Sequence, residues 1–186
     1  MAKLSVFNFA SLNGYYKGLN GDISWHRHGG EEAEFSAESL KANNVLLFGR
    51  VTYEMMAGFW PTPMALEKAP LEAESINAAE KIVFSNTLQT VSWNNTRVVK
   101  SNLIDEIKKL KQTLAHDMTI LGSGSILTQC ANAGLIDEYQ IMLDPVVLGD
   151  GGVMFKGLKQ KLALQLISVK TFKSGTVLLS YKPMER

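Results

Sequence analysis

The chain has 186 residues, of which 46% are hydrophobic and 20% charged, and this length suits one domain, 1–186, with a full core. Nineteen lysines and arginines balance 18 acidic residues, so the chain lacks the cationic surface of a nucleic-acid binder. No apolar run reaches membrane-spanning length, and no signal-peptide core follows the first residues. A single cysteine, Cys130, excludes an internal disulfide, and these features together predict a cytoplasmic protein.

Short apolar runs predict strands, and two of them lie in the first 50 residues. The run Leu4–Ala10 predicts a central strand, and Val45–Phe48 predicts a second one that leads into a helix, Thr52–Ala57. Between the strands lies a glycine-rich stretch, 11–30, without periodicity, and a helix is expected over Glu31–Ala42. A structureless stretch of this length inside a small domain is typical of a functional loop, so we predict a mobile lid over a substrate.

The rest of the chain continues the alternation of strands and helices and then changes character. Residues 70–79 are interpreted as a polar connection or one short helix, Asn102 is expected to cap a helix, and Ser123 or Ser125 is expected to cap another. The remaining predicted strands are Lys81–Ser85, Arg97–Val99, Met118–Leu121 and Tyr139–Val147, followed by a hairpin of Leu162–Thr171 and Thr176–Tyr181. This order predicts an α/β domain with a mostly parallel central sheet, helices on both faces and an antiparallel C-terminal hairpin.

Three predicted strand ends carry glycine and hydroxyl side chains. They are Gly49-Arg50-Val51-Thr52, Ser85-Asn86-Thr87 and Gly122-Ser123-Gly124-Ser125. A single glycine-rich turn is more often a tight turn than a binding loop, but ligands of parallel sheets bind outside the carboxyl ends of strands. Three such ends, one with an arginine, fit a ligand with several phosphates such as a dinucleotide. The Gly-x-Gly-x-x-Gly fingerprint is absent after the first strand, which disfavours an ordinary Rossmann domain.

Several segments resemble one known family, in order and with compatible spacing. They are Leu46–Glu54 with Phe59-Trp60-Pro61, Lys81–Leu88, Ile120–Ser125, Gly134–Tyr139, Pro145–Gly151 and Lys170–Gly175. Together they resemble the dihydrofolate reductase superfamily, in its branch related to the C-terminal reductase domain of the bacterial riboflavin-biosynthesis protein RibD.

This resemblance implies a dihydrofolate reductase-like fold that binds NADPH and assigns a role to each strand end. The expected cofactor-binding residues are Gly49, Arg50 and Thr52 at the phosphates, Ser85, Asn86 and Thr87 near the adenosine 2′-phosphate, and Gly122, Ser123, Gly124 and Ser125 around the pyrophosphate. The expected substrate contacts are Ala10, Trp25, His28 and Tyr53, and the expected catalytic residues are Glu31, Glu32 and Asn13. No metal is expected.

Some of these residues have a second interpretation. Glu31, Glu32 and Glu34 suit a proton relay, but acidic residues also favour the first turn of a helix. Trp25 either covers the substrate ring or pins its own loop, and His26 with His28 is weak evidence for a metal.

The resemblance predicts an NADPH-dependent reductase that transfers a hydride to a small heterocyclic or conjugated substrate, similar to dihydrofolate reductase or 5-amino-6-(5-phosphoribosylamino)uracil reductase. Asn13 stands where relatives often carry aspartate, so the alternative is a non-catalytic nucleotide-binding protein that kept the fold. Asp144 is interpreted as the end of a strand. The apolar stretch Ile141–Leu148 and the hairpin after it, with the resemblance, predict a homodimer.

Overall fold

The computed structural model describes residues 1–40, 44–100 and 102–184 of the chain. The strands are β1 (Leu4–Ser11), β2 (Tyr15–Lys17), β3 (Val45–Gly49), β4 (Lys81–Phe84), β5 (Thr96–Val99), β6 (Met118–Leu121), β7 (Glu138–Asp144), β8 (Gly152–Val153), β9 (Leu164–Thr171) and β10 (Val177–Pro183). The helices are α1 (Glu31–Leu40), α2 (Arg50–Ala57), α3 (Pro63–Lys68), α4 (Pro70–Ala78), α5 (Leu103–Thr113) and α6 (Gly124–Asn132), with one 3₁₀ turn at Leu19–Gly21.

Eight strands form one sheet in the order β5-β4-β3-β6-β1-β7-β10-β9, and β2 pairs with β8 in a separate two-stranded sheet. The six strands from β5 to β7 in this order are parallel, whereas β10 is antiparallel to both β7 and β9. The mostly parallel sheet and the C-terminal hairpin are therefore confirmed. Because parallel strands share one direction, the carboxyl ends of β3, β4, β6, β1 and β7 meet along one edge, where a ligand site is expected.

Helices cover both faces of this sheet, as predicted. Alternate residues of a strand point to opposite faces, so Leu47 packs with α5 and α6 while its neighbour Phe48 packs with α2 and α4. Helix α1 lies on the same face as α2 and α4, where its Phe35 contacts Phe7 and Phe172. Cys130 is buried in α6, and burial raises the pKa of its thiol to about 12, which confirms it as a core residue.

Most element boundaries follow the sequence signals. Asn102 caps α5 by accepting hydrogen bonds from the backbone N–H groups of Ile104 (2.9 Å) and Asp105 (3.3 Å), as expected. Two prolines, Pro63 and Pro70, each begin a helix, because proline suits the first helical turn. The helix at Pro70 agrees with one interpretation of residues 70–79, and the helix at Pro63 was not predicted.

Several strand boundaries differ from the prediction by one or two residues, and larger differences or gaps in the description concern α2, β7 and α1. Helix α2 begins at Arg50 rather than Thr52, since extended Gly49 (φ −81°, ψ 162°) is its N-cap. Strand β7 ends at Asp144 rather than Val147, because proline follows it. The predicted end of α1 at Ala42 lies outside the described residues.

Strand β7 lies inside the sheet, between β1 and β10. Its Ile141 and Leu143 pack against the core, so this strand does not offer a free edge to a second chain. The edge strands of the sheet are β5 and β9, and in β9 the side chains of Leu166, Ile167 and Val169 are about half exposed. In the parts of the chain that the structure describes, no helix combines the length and apolarity needed to cross a membrane.

Candidate cofactor and substrate site

The loop between β6 and α6 is held to the start of α2 by two hydrogen bonds. The backbone N–H of Ser123 donates to Thr52 Oγ1 (3.2 Å), and the Gly49 N–H donates to Ser123 Oγ (3.0 Å). Gly122 and Ser123 both have positive φ, +68° and +48°, and a Cβ on Gly122 would lie 3.0 Å from the Thr52 methyl carbon. This close approach requires glycine at position 122. The structure thus joins two of the three predicted strand ends into one rigid turn.

The N-terminus of α6 is uncapped because the Ser123 side chain accepts from Gly49 and makes no bond to the helix. The first backbone N–H groups of a helix lack intrahelical partners and carry a partial positive charge. They lie beside a cavity of about 300 Å³ lined by Tyr16, Lys17, Gly124, Ser125, Gly152, Val153, Met154 and Lys156. Two lysines in the lining of this cavity, together with the N-terminal N–H groups of α6, suit an anion, so this donor set fits the phosphates of a dinucleotide.

Strand β2 forms part of the wall of this cavity. The Tyr16 ring packs so closely on Gly124 that a Cβ there would lie 2.9 Å from the ring, which explains the glycine at the first position of α6. Strand β2 belongs to the glycine-rich stretch 11–30, so the predicted lid contacts the predicted pyrophosphate loop.

Arg50 directly follows strand β3, and Ser85 directly follows strand β4. The last residues of these strands, Gly49 and Phe84, are paired, so Arg50 and Ser85 leave the sheet at neighbouring positions. The Arg50 guanidinium is about half exposed and bonds both carboxylate oxygens of Glu54, at 2.9 and 3.1 Å. An exposed pair of this kind is weak, so little free energy opposes transfer of the guanidinium to a phosphate.

The turn after β4 is closed by the Ser85 hydroxyl. Its oxygen accepts from the backbone N–H groups of Thr87 (3.2 Å) and Leu88 (3.0 Å), and Asn86 is exposed at the tip. The assigned contact of these three polar residues with a 2′-phosphate stays a prediction.

A group of aromatic rings covers the end of β1. The His26 imidazole stacks on Phe9 with 4.7 Å between ring centres and 14° between ring planes, and His28 meets Phe9 edge-on at 4.7 Å. His26 Nε2 lies 3.2 Å from the Tyr16 carbonyl oxygen, which can only accept, so Nε2 carries the proton. Burial lowers the pKa of His26 to about 4.

Trp25 pins the loop in this structure, the second of its two interpretations. Its Nε1 donates to the Asp22 carbonyl (3.2 Å), and its ring meets His26 edge-on at 4.2 Å between ring centres. Among the described residues, no three histidine, cysteine, aspartate or glutamate side chains come together as a metal site.

A buried acidic pair lies beneath the start of α1. Glu32 is 4% exposed, and its carboxylate accepts a hydrogen bond from the Ser174 hydroxyl. Asp144 is fully buried at the end of β7, and its Oδ1 accepts from the Thr176 hydroxyl at 2.8 Å. Asp144 Oδ2 has no hydrogen-bond partner among the described residues. The Arg27 guanidinium donates to the Ser174 carbonyl and is the cation beside this pair.

Burial raises the pKa of Asp144 above its ordinary value. The Thr176 hydroxyl and the Arg27 amide and guanidinium oppose this rise, and the negative charge of Glu32 adds to it. The structure therefore supplies a carboxyl group that resists ionisation, a property common at functional sites.

The side chains of four predicted site residues make contacts within the protein; these residues are Glu31, Ala10, Tyr53 and Asn13. Glu31 is at the surface, where Lys173 Nζ pairs with its Oε1 at 2.9 Å and lowers the pKa of the carboxyl. Ala10 is buried on the face of the sheet that carries α5 and α6. Tyr53, expected to contact substrate, is 3% exposed and accepts from the Trp93 N–H (3.3 Å), so its side chain packs in the core.

Asn13, expected to be catalytic, braces two turns. Its Oδ1 accepts from the Ser11 hydroxyl (2.8 Å) and the Leu148 N–H (3.1 Å), while its Nδ2 donates to the Leu148 carbonyl (2.6 Å). Both polar atoms of the side chain are used, so this amide holds the end of β1 against the turn after β7.

Several residues that the structure brings to this edge were not predicted as site residues. The cavity beside α6 adds Lys17 and Lys156, and the buried acids add Asp144, with hydroxyl donors from Thr176 to Asp144 and from Ser174 to Glu32. The sequence contains one signal for Asp144, because burial of a charged residue at the end of an apolar strand is unfavourable without a polar partner. The lysines gave no signal, because their approach depends on the pairing of β2 with β8.

Comparisons with known proteins agree with this geometry. The profile of the family described as the RibD C-terminal domain matches residues 2–178. The uncharacterized protein YyaP of Bacillus subtilis (strain 168) is 28% identical over 92% of this chain and 89% of its own length.

Two solved structures share the fold over almost their whole length. A putative riboflavin biosynthesis protein from Shewanella sp. PV-4 superposes with a TM-score of 0.76 at 22% identity, covering 100% of both chains. Dihydrofolate reductase from Enterococcus faecalis, solved with NADP(H) and RAB-propyl, has a TM-score of 0.67 at 15% identity and covers 98% of this chain and 97% of its own. The fold is dihydrofolate reductase-like, and the chain belongs to the RibD C-terminal domain family.

Proposed function

We propose that this protein is an NADPH-dependent reductase that transfers a hydride to a small heterocyclic or conjugated substrate. The observation that carries the proposal is the uncapped N-terminus of α6, which lies beside Lys17 and Lys156 at the carboxyl edge of the parallel sheet. The family and a dihydrofolate reductase solved with NADP(H) support a reductase in this fold.

The residues that would hold the cofactor come from separate strand ends. The N–H groups at Gly124 and Ser125, with the two cavity lysines, would bind the pyrophosphate. Arg50, released from Glu54, would bind the 2′-phosphate as a charge-assisted donor, with Ser85 beside it. When bound, NADPH supplies the hydride, and the chain supplies orientation and a site shielded from water.

The substrate would lie on the face of the sheet that carries α1. Phe9 offers a flat aromatic surface there, and the stacking of the His26 ring on Phe9 supports the proposal that a planar heterocycle binds this surface. Of the three acidic residues at the start of α1, Glu32 is the buried one, and it is also one of the expected catalytic residues. Residues 22–28 cover this surface, so they would open to admit a substrate and then close over it, with the His26 ring displaced from Phe9, to exclude water.

We also propose that the protein is a cytoplasmic homodimer that pairs through strand β9. This edge strand has eight residues and exposes apolar side chains at Leu166, Ile167 and Val169, a pattern that favours edge-to-edge pairing. Light scattering at micromolar concentration should give twice the mass of one chain, and Val169→Lys should reduce it to one. A wild-type mass of one chain contradicts this proposal.

The experiment for the reductase measures NADPH oxidation at 340 nm with a panel of pteridines, pyrimidines and quinones, beside a direct NADPH titration. Lys156→Met should weaken NADPH about tenfold, since one charge-assisted bond is lost, while Lys109→Met on the exposed face of α5 should not. Tight binding without turnover of any compound identifies the alternative, a non-catalytic nucleotide-binding protein. Absence of NADPH binding contradicts both.

A further inference from the structure

Asp144 has a hydrogen-bonding environment that is incomplete. Its side chain is fully buried, Thr176 satisfies one carboxyl oxygen, and the other oxygen has no partner among the described residues. A buried carboxyl group with an unused oxygen is destabilising unless it is protonated or meets another polar group.

Two acids and one cation lie near one another at this point of the structure. Glu32 approaches from α1, Asp144 from β7 and Arg27 from the loop before α1, while Ser11 on β1 lies opposite Asp144. The negative charge of Glu32 favours the protonated form of Asp144. A proton on Asp144 would lie on Oδ2, since the Thr176 hydroxyl donates to Oδ1.

The unpartnered carboxyl lies on the same face as the aromatic surface. Met142 is paired with Phe9 across the β1–β7 ladder, and Asp144 is two residues farther along on the same face. One segment covers both features, because His26 stacks on Phe9 and the next residue, Arg27, lies against Asp144.

The backbone on both sides of this covering segment suits hinge motion. Glycines with positive φ flank it, Gly21 (+82°) and Gly30 (+56°), and such residues permit hinge rotations closed to others. When the segment leaves, a planar ring on Phe9 would replace the His26 ring, and Asp144 would be within reach of its polar edge.

We propose that Asp144 is the acid that donates the proton in the reduction carried out at this site. The inference rests on the proposed function, which supplies the hydride from NADPH. As hydride reaches the carbon of a C=N or C=O bond, that π pair moves to the heteroatom, which takes the proton from Asp144 Oδ2. NADPH becomes NADP⁺, the substrate gains both hydrogens, and Asp144 becomes a carboxylate that water reprotonates when the segment opens.

The test compares Asp144→Asn with wild type and with Glu138→Gln, which removes an acid from the far end of the same strand. Asp144→Asn should lower kcat about a hundredfold or more for the fastest compound of the panel, and it should leave the NADPH dissociation constant unchanged. Glu138→Gln should change neither. If Asp144→Asn keeps its kcat, the inference is wrong and the proposed function stands, whereas no reduction by wild type removes the proposed function itself.

Glu32→Gln provides a readout that a purely structural role would not move. The amide keeps an oxygen for Ser174 and removes the charge beside Asp144, so the pH above which kcat/KM falls should move to lower pH. Carboxyl ¹³C NMR should show Asp144 titrating at that same pH in wild type and at the lower pH in Glu32→Gln. An unmoved kinetic limb, or an Asp144 titration at an ordinary aspartate pH, overturns the inference even if Asp144→Asn fails to fold.

Discussion

Acidification should open the segment that covers Phe9, because His26 is held there in its neutral form. An exposed histidine titrates near 6.5, and burial lowers the pKa of His26 to about 4. The open state therefore takes up a proton below pH 6.5, while the closed state resists protonation until pH 4. The closed state is fully favoured above pH 6.5 and loses stability as the pH falls from 6.5 to 4.

The size of the effect follows from that difference in pKa. Each pH unit is worth about 1.4 kcal/mol, so the whole window destabilises the closed segment by about 3 kcal/mol, and pH 5 by about 2 kcal/mol. Two kcal/mol corresponds to roughly thirtyfold in the opening equilibrium. His28 has a pKa lowered by burial as well, and its protonation acts in the same direction.

Amide hydrogen exchange across residues 22–30 measures this opening. After correction for the intrinsic rate, exchange in wild type should be roughly thirtyfold faster at pH 5 than at pH 7, while strand amides of β1 change far less. His26→Phe keeps a ring on Phe9 and removes the titration, so its exchange should depend much less on pH. Equal acceleration in His26→Phe, or less than about threefold in wild type, refutes the reasoning.

Three further predictions concern the side chains of Lys81, Arg50 and Cys130. Lys81 is fully buried and its Nζ donates to three carbonyl oxygens at 2.6, 3.1 and 3.1 Å, so Lys81→Met should lower the free energy of unfolding in urea by about 2–4 kcal/mol. The control Lys109→Met should change it by under about 0.5 kcal/mol, and a similar loss in both variants would remove the special role of Lys81. Arg50→Ala should weaken NADPH about tenfold to a hundredfold and NADH little, measured as dissociation constants at one salt concentration; equal losses would place Arg50 on the shared pyrophosphate. Cys130 should not react with a thiol reagent in the native protein and should react fully in urea, because burial raises the pKa of its thiol to about 12; rapid native labelling would contradict its burial.

The fold was predictable because its signals are local and repeated. Strand β6 has the bounds that the apolar run Met118–Leu121 predicts, and Asn102 caps α5 as its side chain suggests. The alternation of such runs with helical segments specifies a parallel sheet, and several motifs in order specify the family.

The site was less predictable because side-chain direction depends on contacts that are distant in sequence. Asn13 is braced by Leu148, which is 135 residues away, and no local pattern indicates this pairing. Tyr53 follows Thr52 in α2, and the helix turns the Tyr53 ring toward the core and Trp93. Asp144 is a candidate because it is buried beside Glu32 of α1 and Thr176 in the turn before β10, both of which are distant from it in sequence.

The most direct test of the central claim is an NADPH titration followed by backbone amide NMR. We expect the largest amide chemical-shift changes at Gly122–Ser125, with smaller changes at Arg50 and at Lys17 of the cavity wall. The same titration with NADH should shift the Gly122–Ser125 loop and leave Arg50 almost unchanged. Absence of shifts at the β6–α6 loop, or shifts confined to another surface, would contradict the assignment of this edge of the sheet to the cofactor.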